Sequence, residues 1–151
     1  VHIMQVSTPL TLGVDESYNL TIDHTTGAAI HANTLFGAYH GLETIAQLIE
    51  FDFDSVSYNI RGVPLAIEDR PRFAWRELMV DTSRHFLPIP VLKNVVDSMV
   101  TTKLNALHLH LVDSQAFPLV LPSAPRLSKG AYSSQEQYVN ETCILCSGNG
   151  W

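Results

Sequence analysis

Apolar positions along the chain follow two spacings, every second residue and every third or fourth, and each change of spacing marks an element. Tyr18-Asn19-Leu20-Thr21-Ile22-Asp23 alternates apolar and polar, as a half-buried strand does. Thr25-Thr26-Gly27 offers a turn and Ala28-Ala29-Ile30-His31 returns, so the pattern predicts a β-hairpin. Leu35, Tyr39, Leu42, Ile45 and Ile49 then recur three and four apart, which predicts an amphipathic helix with that stripe buried and Asn33 or Thr34 as N-cap. A strand is expected around Val63 to Ile67. The charged run Glu68-Asp69-Arg70-Pro71-Arg72, broken by proline, places a domain boundary near Arg70.

Past that run the style changes. Leu78-Met79-Val80 is a short apolar run suited to a buried parallel strand. Pro88 and Pro90 sit where a helix start tolerates them, ahead of Val91, Leu92, Val95, Val96, Met99 and Val100. Leu104 to Val112 reads as a second strand. Strand, helix, strand with both strands apolar implies a parallel pair joined by a right-handed crossover, the repeating unit of a doubly wound sheet or a (β/α) barrel. Ligand groups in such folds gather at the C-terminal strand ends, where Asp81, Arg84 and Asp113 fall.

Composition narrows the classes. The chain has 151 residues, room for one domain or two small ones, and its 46% hydrophobic content is that of a globular protein. A net charge of -6 with nine Lys and Arg, none forming a basic stripe, argues against a nucleic-acid partner. No apolar run approaches the roughly 18 to 20 residues of a membrane span, and no basic segment precedes an apolar one at the start. Asn19-Leu20-Thr21 and Asn140-Glu141-Thr142 are N-glycosylation sequons, of use only on a secretory route. Cys143 and Cys146 have the spacing of a redox pair or half a zinc site. The Ser-Gly-Asn-Gly that follows suits neither a helix start nor further ligands, so no role is assigned to them.

Candidate chemistry centres on the two strand ends. The Arg84 guanidinium presents a planar fork of donors for paired hydroxyls or a carboxylate, and the alternative is a structural ion pair with Asp81 or Asp113. His108 and His110 lie two apart on a strand and so share a face; with His85 they form a conceivable three-histidine metal site, against which stands ordinary hydrogen bonding in a core. Asp113 is a candidate carboxylate for orienting a histidine or an acid, or else a turn cap. Asp15-Glu16 is an adjacent carboxylate pair ahead of the first strand and reads as a solvated turn.

At these residues the chain resembles the family 20 β-N-acetylhexosaminidases. The likeness runs from about Asp15 to Ser133, through ESYNLTID, ANTLFGAYHGLETIAQLI, RPRFAWRELMVDTSRHFLPIPVLKNVVDSMVTTKLNALHLHLVDSQAFP and LSKGAYS. It implies an α/β fold: a small N-terminal α+β domain over residues 1–70, then, over 71–136, the first strands and helices of a truncated (β/α)8 TIM barrel, with 137–151 a divergent tail. It also implies an exo-acting enzyme that removes terminal β-linked GlcNAc or GalNAc with retention, the substrate's own acetamido oxygen attacking the anomeric carbon. By the same resemblance Arg84 binds sugar hydroxyls, Asp113 supports the histidine and acid of that subsite with His108 as a further supporting candidate, and no metal or other cofactor is needed. N-acetylhexosamine-terminated glycans would be the partners, a homodimer the assembly of the full-length enzyme, and the location secreted or lysosomal/vacuolar.

Departures from the family pattern are Leu109 where tryptophan is usual, Ser114 where a second aspartate is usual, and Glu77 where glycine is common. The family's His-x-Gly-x-Asp-Glu acid/base pattern does not occur before Trp151. Gly13-Val14-Asp15-Glu16 mimics only its second half, with Thr11 in the histidine's place. The expectation is therefore an N-terminal portion of the enzyme that is inactive alone; the alternative is a noncatalytic sugar-binding or interaction module derived from the family.

Overall fold

The computed structural model describes residues 1–139. They divide into two compact units, Val1–Trp75 and a second that begins at Arg76, just past the charged run around Arg70. Asn140, Cys143 and Cys146 lie outside the described residues.

The first unit contains β1 (His2–Gln5), β2 (Tyr18–Asp23), β3 (Gly27–Thr34), α1 (Leu35–Leu48), β4 (Glu50–Asp52), β5 (Ser57–Asn59) and β6 (Leu65–Asp69). Four strands form one sheet in the order β1-β3-β2-β6, and β4 pairs with β5 in a separate hairpin. The predicted hairpin is β2 and β3, antiparallel from Tyr18 opposite Ala32 to Asp23 opposite Gly27. Gly27 closes it at φ +76°, a conformation that favours glycine. The strand expected over 63–67 forms two residues later, after Pro64, whose missing N–H cannot enter a ladder. Alternation had not marked β1, β4 or β5. The first is an edge strand paired only to β3, and the other two are three residues long.

Tyr18, Leu20 and Ile22 of β2 and Ile30 and Ala32 of β3 form the core with Ala38 of α1. The Tyr18 hydroxyl donates to Asp69 Oδ2 at 2.9 Å and lies 2.6 Å from Thr44 Oγ1, tying β2 to β6 and α1. Of the two N-cap candidates the structure uses Thr34: its Oγ1 accepts from Gly37 N at 3.3 Å and donates to the Asp15 carbonyl.

The buried face of α1 differs from the expected stripe. Tyr39 and Leu42 are 48% and 46% exposed, and Ile49 lies past the helix end, whereas Gly37, Ala38 and Gly41 are buried. The cause is the close approach of helix to sheet. A Cβ on Gly37 would fall inside the Ser17 carbonyl, and one on Gly41 would lie 2.8 Å from Ile30 Cγ2. A spacing count gives weight to large apolar side chains; this contact selects the small ones.

In the second unit, β7 (Glu77–Asp81), α2 (Ile89–Thr101) and β8 (Ala106–His110) realise the predicted strand, helix, strand order, and the strands are parallel with Glu77 opposite Ala106 and Asp81 opposite His110. Pro88 is the N-cap and Pro90 lies in the first turn of α2, where a missing N–H costs nothing. The expectation that 78–80 is buried fails, since Met79 is 55% exposed and Leu78 37%. A two-stranded pair gives each strand a single neighbour, and apolar composition does not say which faces are covered. Among the described residues Leu92, Met99, Ala116, Pro118 and Tyr138 are buried apolar or aromatic side chains that anchor this unit.

Gly37→Ala is expected to lower the stability of the chain by about 1–3 kcal/mol through overpacking, outweighing the helix-propensity gain of roughly 1 kcal/mol. Urea unfolding measures this, and an unchanged or raised midpoint would contradict the close-packing account.

Candidate functional site

The C-terminal ends of β7 and β8 lie side by side because the parallel register sets Asp81 against His110. Beyond Asp81 the chain turns sharply: Asp81 Oδ1 accepts from the backbone N–H of Ser83 and of Arg84, both at 3.0 Å. Thr82 and Ser83 are buried beneath this turn. Thr82 N and Oγ1 both donate to the His110 carbonyl, at 3.0 and 3.2 Å, and Ser83 Oγ donates to the Ala116 carbonyl at 2.7 Å. Asp113 N donates to the same carbonyl at 3.2 Å, so the loops after the two strands are stitched together.

Arg84 emerges from this frame. Its Nε lies 3.2 Å from Asp81 Oδ2 in an ion pair, and its Nη1 donates to Asp113 Oδ2. Nη1 also lies 2.8 Å from His110 Nε2, which is itself 3.1 Å from Asp113 Oδ2. One ring nitrogen cannot both accept from Arg84 and donate to Asp113, so the two contacts belong to different tautomers. With Nε2–H, His110 donates to Asp113; with Nδ1–H, it accepts from Arg84. Nη2 has no partner among the described residues, and the Arg84 side chain is 48% exposed. The structure shows the ion-pair reading of Arg84: two carboxylates orient the guanidinium while part of its donor fork stays open.

Both carboxylates are held below the ordinary aspartate range. For Asp81 the backbone N–H of Arg84 contributes most, followed by Ser83 and the Arg84 charge; for Asp113 the backbone N–H of Ser114 leads, then His110 and Arg84. Counting Asp81, Asp113 and Arg84, the cluster carries one net negative charge, which disfavours an anionic ligand and suits a neutral polar one.

His110, adjoining Arg84 and Asp113, is the histidine of this cluster. His108, the sequence candidate for support, instead has Nδ1 3.2 Å from Glu77 Oε1 and is half exposed. His85 is exposed. Among the described residues no group of three His, Cys, Asp or Glu could hold a metal ion. No helix among them is long and apolar enough to cross a membrane.

The solvated reading of Asp15-Glu16 holds for Asp15, which is exposed though hydrogen-bonded, and fails for Glu16. Asp15 accepts from Ser17 N at 2.9 Å, Ser17 Oγ at 2.6 Å and Asn33 Nδ2 at 2.7 Å, and the Ser17 hydroxyl leads the lowering of its pKa. Glu16, its side chain only 12% exposed, pairs with His40 Nε2 at 2.9 Å. A cleft of about 500 Å³ opens here, between Asp15, Glu16, Arg70, Arg72 and Phe73. The candidate site is marked by the convergence of hydrogen bonds at the strand ends.

Sequence reading passed over two tyrosines. Tyr138 is fully buried, its hydroxyl donating to Leu87 O at 2.7 Å and accepting from Leu87 N at 3.3 Å, while its ring stacks on Phe86 at 4.8 Å. Burial pushes its phenol above the usual tyrosine value. Tyr132 OH donates to the Arg84 carbonyl at 3.3 Å. Both brace the segment that carries Arg84, and their placement after the last predicted strand gave no periodic signal.

Parallel strands joined by a crossover helix define the class as an α/β protein, with the polar cluster at the carboxyl edge of its sheet as the candidate site. Comparison with known proteins goes further. Residues 73–146 match the model of the glycosyl hydrolase family 20 catalytic domain, and residues 1–48 match a β-acetyl hexosaminidase-like domain. The chain is 50% identical over 141 residues to β-hexosaminidase 1 of Arabidopsis thaliana, covering 89% of this chain and 26% of that protein. It is 45% identical over 131 residues to β-hexosaminidase subunit B2 of Dictyostelium discoideum, covering 85% and 23%. The chitobiase of Flavobacterium johnsoniae superposes with a TM-score of 0.74 at 39% identity, over 87% of this chain and 19% of that one. The chain belongs to glycosyl hydrolase family 20, and it spans about a quarter of the length of these curated relatives.

The depressed carboxylates fix a pH dependence. A group whose pKa is lowered by folding contributes stability above its unfolded value, near 3.9 for aspartate, and loses it as pH falls through the folded value. The NMR signal of Arg84 Nε–H is therefore expected to hold its position above about pH 4 and to move toward that of free arginine on further acidification. A signal insensitive to acid would contradict the clamp.

Proposed function

We propose that this chain is the N-terminal portion of a retaining exo-β-N-acetylhexosaminidase acting on glycans with terminal β-linked GlcNAc or GalNAc. Its second unit would open a (β/α)8 barrel. The observation that carries the reading is Arg84, fixed at a parallel strand end by Asp81 and Asp113 with Nη2 left open. A sugar ring presents adjacent hydroxyls, neutral and fixed in direction, and a pre-oriented guanidinium donates to them at little entropic cost. The negative balance of the cluster argues for such a ligand over a phosphate or carboxylate. A related exo-β-N-acetylglucosaminidase of Vibrio harveyi, 29% identical with a TM-score of 0.70, has been solved in complex with N-acetylglucosamine.

In the mechanism this implies, the substrate's acetamido oxygen attacks the anomeric carbon and a carboxylic acid protonates the leaving oxygen. The part played by this chain is binding and orientation. Arg84 holds hydroxyls of the terminal sugar, Asp81 and Asp113 hold Arg84, and His110 pairs with Asp113 or with Arg84 according to its tautomer. Neither His-x-Gly-x-Asp-Glu nor an equivalent acid/base pair stands at these strand ends in the sequence. We place the enzyme outside the cytosol, secreted or lysosomal/vacuolar, with a homodimer as its assembly.

The test is capture of the native protein with an antibody to the 81–88 segment, followed by assay on a chromogenic β-N-acetylglucosaminide. The captured protein is expected to hydrolyse it and the pure 151-residue chain is not. Arg84→Lys in the active protein should lower kcat/KM by about 10²-fold, the loss of a charge-assisted bond worth roughly 2–3 kcal/mol. Capture of this sequence without activity would refute the enzyme reading, and turnover by the isolated chain would refute its inactivity.

A further inference from the structure

The face of the first unit's sheet that carries Asn19 has a use that the Arg84 site does not touch. Tyr18, Leu20 and Ile22 are buried, so the alternate positions Asn19 and Thr21 point to the other face, and both are exposed. Asn19 faces His31 of β3 on one side and Glu68 of β6 on the other; Thr21 lies between Ala29 and Ala66. Small side chains beside Thr21 leave its hydroxyl accessible. A shallow cleft of about 330 Å³ runs past Asn19, between His2, Met4, His31 and Glu68.

The side-chain amide of Asn19 has no partner among the described residues, and neither does the Thr21 hydroxyl. Asn33, one strand away on the same face, is in contrast committed to Asp15 at 2.7 Å. An amide in the middle of a sheet, exposed and without a bond to make, has a side-chain nitrogen that no native contact requires. Asn19-Leu20-Thr21 is also a sequon. The intervening Leu20 is fully buried and so fixes both flanking side chains outward.

We propose that Asn19 is a site of N-linked glycosylation, with the attached glycan lying over the open face of β2, β3 and β6. Its donor would be an oligosaccharide linked to a lipid diphosphate. Asn19 Nδ2 attacks the anomeric carbon of the donor's first sugar and the N–C1 bond forms. The bond from C1 to the diphosphate oxygen breaks with its electron pair leaving on the lipid diphosphate, and one amide proton passes to a base of the transferase. The modification needs passage along a secretory route and is independent of any hydrolase activity. The glycan adds a hydrophilic cover to the sheet without displacing a native hydrogen bond.

The experiment is mass spectrometry of the native protein from its source. Peptides spanning Asn19 are compared before and after release of N-glycans by an amidase in heavy-oxygen water, which converts a glycosylated asparagine to labelled aspartate. Labelled aspartate at position 19 is the expected result, with the unmodified peptide scarce beforehand. Predominantly unmodified Asn19 before and after treatment would overturn the proposal. As a second arm, Thr21→Ala, which removes the sequon but keeps Asn19, is expressed as the full chain through a eukaryotic secretory host. It should abolish label at position 19 where the parent chain shows it; persistence of the label, or its absence from the secreted parent, overturns the assignment.

Discussion

The candidate site depends on one backbone constraint, the in-register parallel pairing of β7 with β8. Pairing Asp81 with His110 brings two loop starts together, and everything polar there follows from that proximity. Asp81 turns the chain, Thr82 and Ser83 anchor the turn to the His110 and Ala116 carbonyls, and Arg84 is delivered between two carboxylates. A guanidinium so placed has lost its rotamer freedom before any ligand arrives, and the ordering entropy is already spent. Without the arginine the same geometry would hold two carboxylates close together, a like-charge arrangement that opposes ionisation.

The first unit is governed by a different constraint, the short distance between helix and sheet. Gly37 and Gly41 let α1 settle on β2 and β3, and the Thr34 cap fixes where the helix begins. Asp15 links this start to the strand entrance through Ser17, Asn33 and its own carbonyl to Thr34. Glu16 adds a hydrogen bond to His40 on the same helix. The carboxylate pair read from the sequence as a solvated turn thus works as a structural latch on the first unit.

Much of the architecture could be read from spacing because it is written in repeating positions. Alternation from Tyr18 to Asp23 marked a strand, Asn33 or Thr34 marked a helix start, and Pro88 with Pro90 marked another. Where side-chain size rather than polarity decides, the spacing misled: the large apolar residues Tyr39 and Leu42 face outward and the glycines inward. Short edge elements such as β1 and the β4–β5 hairpin carry too few residues for a period to emerge. At the site, Arg84 and Asp113 were legible because chemistry collects at strand ends. The choice of His110 over His108 was not, because the two share a face of β8 and only the reach of the loop after it decides which meets Asp113. Tyr138 escaped because its role is set by contacts to Phe86 and Leu87, some fifty residues away in sequence.

The most direct test of the account is an NMR titration of the arginine side chains with N-acetylglucosamine, run on the chain and on its Asp113→Asn variant. The account predicts a saturable shift of the Arg84 guanidinium signals in the parent chain. The shift should be weakened in the variant, where the guanidinium is no longer clamped. Arg84 signals that stay in place while the sugar is raised to saturation of any other site, or equal shifts in both proteins, would contradict the assignment of Arg84 as a pre-oriented sugar-binding group.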